Sequence, residues 1–145
     1  MRRAAAALAF AVAVTAAPPP AWAVCGVQVQ GVSFGAIDVM RREESTGSIR
    51  VTCDEPVSFL IEIVGATSDG ERRMYAAGGA SLRYALYADA AHGQAWGDGQ
   101  SIGSPVAGSS NGSSAATFTV YGVIPSQPGT LPGDYVDSPL VTLSF

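Results

Sequence analysis

The chain of 145 residues carries two Cys and one His and is long enough for one compact domain and little more. Its eight basic residues are all Arg and stand against twelve acidic ones, a formal charge of −4 that offers no footprint for a phosphate backbone and excludes nucleic acid as the expected partner. Only 14% of residues are charged while 48% are apolar, which excludes a disordered chain and points to an apolar segment outside the folded part.

That segment stands first. Arg2 and Arg3 precede an uncharged run of small apolar residues, and Ala21-Trp22-Ala23 has the small-x-small form of a secretory cleavage site. Residues 1–23 therefore read as a signal peptide and 24–145 as the exported domain, with a formal charge of −6 once the two arginines are gone. The run is too short to span a bilayer and is closed by Pro18, Pro19 and Pro20. Lipidation at Cys25 is not expected, because Trp22 and Val24 stand where small residues are needed. In an oxidising compartment the remaining pair, Cys25 and Cys53, reads as a single disulfide.

After the leader, period-two alternation recurs and helical spacing does not. Val27 and Val29, followed by Val32 and Phe34, predict a first strand with a change of phase near Gly31. Ile49, Val51 and Cys53 predict a second strand with its cysteine facing inward, and Val57, Phe59, Ile61 and Ile63 a third. Asp69-Gly70, Arg72 and Arg73 read as a solvated loop before a fourth strand over 80–89. Residues 90–114, rich in Gly, Ser and Asp, read as mostly loop with a short strand near 101–106. Phe118, Val120, Gly122 and Ile124 mark the next strand, 126–133 a long connection, and 135–145 a final strand ending inside the core. The expected fold is all-β, an immunoglobulin-like antiparallel sandwich. With six principal strands it is incomplete, leaving an apolar groove and an unpaired edge.

These residues resemble a family pattern. Its carriers are Cys25 with Val32-Ser33-Phe34-Gly35, Gly47-Ser48-Ile49-Arg50-Val51-Thr52-Cys53, Arg73-Met74, Leu82-Arg83-Tyr84-Ala85-Leu86-Tyr87-Ala88-Asp89 and Trp96-Gly97-Asp98-Gly99. The end carries more: Val120-Tyr121-Gly122-Val123-Ile124-Pro125, Gly133-Asp134-Tyr135-Val136-Asp137-Ser138 and Leu140-Val141-Thr142-Leu143-Ser144-Phe145. Over essentially the whole exported domain the chain resembles the spore coat protein U domain, shared with Csu-type subunits of archaic chaperone–usher pili. The resemblance implies a pilus or coat subunit that is held by a periplasmic chaperone, passed to an usher and completed by a strand of a neighbouring subunit. It also implies transit through the periplasm to the cell surface, with Tyr135, Val141, Leu143 and Phe145 along the groove that receives the chaperone or donor strand. Only Val24 separates the cleavage point from Cys25, so the expectation is a chain that accepts a strand rather than donates one. A stand-alone coat protein fits the same pattern.

Chemistry is sparse. Asp89, His92 and Asp98 lie within ten residues but read as solvated loop groups, and the sole His has neither a G-x-S-x-G elbow nor an orienting partner. No catalysis, metal, cofactor or small-molecule substrate is expected. Trp96 offers an alternative function, a surface adhesin or binding module built on the 90–114 loops, if its ring is exposed; otherwise it caps the end of the core.

Overall fold

The computed structural model describes residues 22–67 and 69–145, so the leader, apart from Trp22 and Ala23, lies outside the described residues. Alternation becomes strand almost wherever it occurs. The strands are β1 (Cys25–Gln30), β2 (Glu43–Cys53), β3 (Pro56–Val64), β4 (Arg72–Tyr75), β5 (Ser81–Tyr87), β6 (Val106–Asn111), β7 (Ala116–Ile124) and β8 (Leu140–Ser144). They form two antiparallel sheets, β1-β2-β7-β5-β4 and β6-β3-β8, and the described residues contain no helix. This is the all-β, immunoglobulin-like sandwich that the alternation predicts.

The strand count differs from expectation: the described residues form eight strands, not six. Two were hidden in segments read as loop. β4 has four residues, too few for alternation to register, and opens on an arginine that is wholly buried. β6 is Val-Ala-Gly-Ser-Ser-Asn, polar and glycine-bearing because of what it packs against. A Cβ on Gly108 would stand 2.5 Å from atoms of both the Phe59 and Phe118 rings, so bare backbone lets that edge-to-face pair fill the interior.

Ile49, Val51 and Cys53 of β2, Phe59, Ile61 and Ile63 of β3, and Leu82, Tyr84 and Leu86 of β5 meet in one core with Val120 and Ile124 of β7. Burying each large apolar side chain stabilises the sandwich by roughly 1.5–3 kcal/mol. Cys25 and Cys53 are disulfide-bonded and face each other directly in the β1–β2 ladder, as expected of the pair. After β1 the chain leaves the ladder at Gly31 and crosses the sheet with Val32, Phe34, Ile37 and Val39 half-buried. Gly122 admits this crossing, since a Cβ there would lie 2.6 Å from Val32 and 2.9 Å from the Phe34 ring.

The carboxyl-terminal segment is shorter as strand than its alternation predicts. Tyr135 and Val136 belong to the other sheet's margin, where Val136 and Tyr75 exchange backbone hydrogen bonds of 2.9 and 3.1 Å beside β4. The chain then changes sheets through Pro139, which has no N–H to give, and joins β3 from Leu140 onward. Val141 and Leu143 are half-buried over Ile63 and Ile61. Phe145 does not end inside the core: the ladder stops at the Leu60–Ser144 pair, and the next residue runs past it, 62% exposed.

Candidate functional site

One register sets up the site. Val27 and Val29 of β1 stand opposite Val51 and Ile49 of β2, so all four side chains point to the inner face of the large sheet. Val51 and Ile49 are fully buried, yet Val27 and Val29 are 39% and 54% exposed. The second sheet therefore stops short of β1. Its last strand is β8, which hydrogen-bonds to β3 on one side and, among the described residues, has no strand on the other. Between the open edge and the β1 margin runs a groove.

One wall is Val29, Val32 and Phe34; the other is Pro139 and Val141; Ile49, Val120 and Leu86 form the floor of a depression of about 270 Å³. A second depression of about 440 Å³ continues it past Phe34 toward Ile37, Leu82, Ile124 and Tyr135. Val32, Phe34, Met74 and Asp137 line both. Of the four residues expected along the groove, Val141 and Tyr135 line it, in different depressions, Leu143 packs against the core, and Phe145 lies beyond the strand end. Sequence reasoning missed the opposite wall and the polar residues under the floor; the unmatched Val27–Val29 pair was the available signal for the wall.

Those polar residues begin with Arg72. Its side chain is wholly buried, against the expectation of a solvated Arg72-Arg73 pair, and Nη2 donates to the carbonyls of Ile63 (2.5 Å) and Trp96 (3.0 Å). Burial lowers its pKa, offset in part by Tyr84 and Asp137. Tyr84, its cross-strand partner, donates its hydroxyl to Asp137; burial, then that carboxylate, raises the phenol's pKa. Arg73 instead stays at the surface with Glu71 (2.5 Å) and Asp69 (3.3 Å).

Trp96 does not serve as a surface residue. It is 1% exposed, its indole N–H donates to the Ile61 carbonyl at 2.9 Å, and its backbone N–H reaches the Leu86 carbonyl at 2.9 Å. The tryptophan thus bridges β3 and β5 across the end of the core, and the loop-based binding reading loses its anchor. Asp89 accepts from the N–H groups of Gly93 and Gln94 within its own turn, and His92 packs on Tyr87 at 5.2 Å with a ring nitrogen 2.8 Å from Arg42. Among the described residues no three such groups converge on a cation.

Asp98 accepts from the N–H groups of Gln100 (2.9 Å), Ser101 (2.7 Å) and Ile102 (3.3 Å), and these hold its carboxyl down at about 2, against an ordinary 3.8. A carboxyl lowered on folding contributes stability that is complete above its unfolded pKa and is lost as pH falls through the folded one. The melting temperatures of the native chain and Asp98→Asn should therefore differ at pH 5 and converge toward pH 2. A gap that stays constant over that range would rule this out.

Comparison with known proteins follows the same lines. A family model described as the Spore Coat Protein U domain matches residues 8–142. No curated protein matches the chain. Among solved structures the chain is similar to one in the crystal structure of the CsuC–CsuE chaperone–tip adhesion subunit pre-assembly complex from the archaic chaperone–usher Csu pili of Acinetobacter baumannii. The identity is 18% and the TM-score 0.60, over 86% of this chain and 40% of that one, so this chain spans about two fifths of the length of its solved counterpart. At that identity the likeness is one of fold.

Proposed function

The chain belongs to the Spore Coat Protein U domain family, and from that membership and the open groove we propose that it is an exported structural subunit of a pilus or surface coat, completed by a strand from another polypeptide. The carrying observation is the inward-facing pair Val27 and Val29, left uncovered across a groove from the free edge of β8. A strand laid there pairs its backbone with β8 and points alternate side chains at the floor. Three or four buried aliphatic side chains would contribute about 5–10 kcal/mol, comparable with the whole stability of a small domain. The occupants this reading names are a periplasmic chaperone during transit and a neighbouring subunit afterwards, with an usher between them. Export uses a leader ending at Ala23. The function is assembly, and no catalytic role is assigned.

The test is thermal melting of the disulfide-bonded exported chain with and without an extended peptide of alternating aliphatic residues. The peptide should raise the melting temperature by about 10 °C or more, whereas a scrambled peptide of equal composition should not. A cooperative monomer whose melting is indifferent to every alternating peptide would overturn the reading.

A further inference from the structure

The groove is not uniformly apolar. Of the four residues shared by its two depressions, Val32, Phe34 and Met74 are apolar and Asp137 is a carboxylate. Asp137 is exposed, with one oxygen accepting from the Tyr84 hydroxyl and the other from the Ser138 N–H at 2.8 Å. Behind Tyr84, directly across the β4–β5 ladder, lies the buried Arg72, whose Nε and Nη1 have no partner among the described residues. A polar path thus leads from the interior to the groove at the place where its two halves meet.

A strand seated in the groove would cover that carboxylate. Taking an ion out of water is costly unless charge and hydrogen bonds compensate it. Tyr84, Ser138 and the more distant Arg72 offset part of this cost. A carboxylate accepts about four hydrogen bonds and Asp137 uses two among the described residues, so its remaining acceptor positions are open to an incoming side chain.

We propose that Asp137 sets the register and sequence preference of the incoming strand by taking a hydrogen-bond-donating side chain, best a lysine or arginine, at one inward position of an otherwise apolar alternation. The inference rests on the strand-accepting reading and specifies the chemistry of its partner. Inward positions recur every second residue, so a slip of two residues keeps the apolar face inward but puts an aliphatic group against the carboxylate. Alternation alone cannot distinguish those registers; one cation among aliphatic residues can. Charge complementarity thereby adds specificity to an affinity supplied mainly by burial.

The experiment uses the exported chain and peptides that share one aliphatic alternation and carry Lys, Gln, Leu or Glu at a single inward position, moved along in two-residue steps. Binding constants are measured by calorimetry. At one position Lys should bind about tenfold tighter than Leu, with Glu weakest. Asp137→Asn, which retains an acceptor oxygen for Tyr84, should erase the Lys preference, so that the ratio of Lys to Leu affinity falls to about one at every position. Leu matching Lys at every position, or an Asn variant that keeps the preference, would overturn the inference and leave the strand-accepting reading standing. Binding of no peptide at all would remove both. Should Asp137→Asn fail to fold, the position dependence on the native chain decides: a Lys-to-Leu ratio flat along the peptide overturns the inference.

Discussion

Replacing Trp96 by Ala should lower the stability of the domain by about 3–5 kcal/mol, a large share of what a small sandwich has. The indole is buried at 1% exposure, meets the Phe118 ring edge-on at 6.5 Å and donates to the Ile61 carbonyl. Its own carbonyl accepts from Arg72, and the adjacent Gly97 carbonyl takes the Ile63 N–H at 3.3 Å. Truncation therefore opens a large cavity at the point where β3, β5 and the buried arginine are tied together. Trp96→Phe keeps much of the volume and loses the indole hydrogen bond, so it should cost far less than Trp96→Ala. Denaturant melts of both variants decide the matter. An alanine variant as stable as the native chain but defective in surface adhesion would restore the binding role that burial denies.

How far the sequence disclosed this molecule depended on whether a strand's inner face is aliphatic. β2, β3, β5 and β7 have Ile, Val, Leu or Phe at alternate positions facing the core, and period two found each of them. β4 buries Arg72, satisfied by carbonyls from distant segments, and β6 buries Ser110 beside a glycine that makes room for two phenyl rings. Neither has an apolar signature, because the partner element supplies the apolar atoms. The same blindness led to an undercount of strands. Six strands imply an incomplete sandwich by count alone, whereas the described residues form eight, and the groove follows from their unequal division, five in one sheet and three in the other.

The groove was legible in part. Val141 and Tyr135 lie along it because the alternation of the last segment continues through Pro139, but the alternation concealed a change of sheet at that proline. Phe145 fits the pattern and not the structure, since periodicity records which way a side chain would point and says nothing of whether anything lies there to cover it. By period two Asp137 falls on the same face as Tyr135, Pro139 and Val141, a lone carboxylate in an otherwise apolar set. What the sequence does not show is its partner, the Tyr84 hydroxyl 53 residues earlier, which ties it to the buried Arg72.

Removing the disulfide should act on both the fold and the groove. In the Cys25→Ala, Cys53→Ala chain, opening a cross-link with a sequence separation of 28 should cost about 3–4 kcal/mol by the chain-entropy model. For a domain of this size that lowers the melting temperature by roughly 10–20 °C. The structural consequence is local first. Among the described residues β1 pairs with β2 alone, and every β1 residue after Cys25 is exposed, so its ladder has little packing to support it once the cross-link is gone. Since Val29 and the chain that follows it form one wall of the groove, a frayed β1 should weaken peptide binding by more than the loss of global stability accounts for. Hydrogen exchange separates the two effects: amides of the β1–β2 ladder should lose protection at temperatures where those of β5 and β7 keep theirs. Uniform loss across all strands would mean that the cross-link stabilises the sandwich as a whole and does not specifically hold the wall on which strand capture depends.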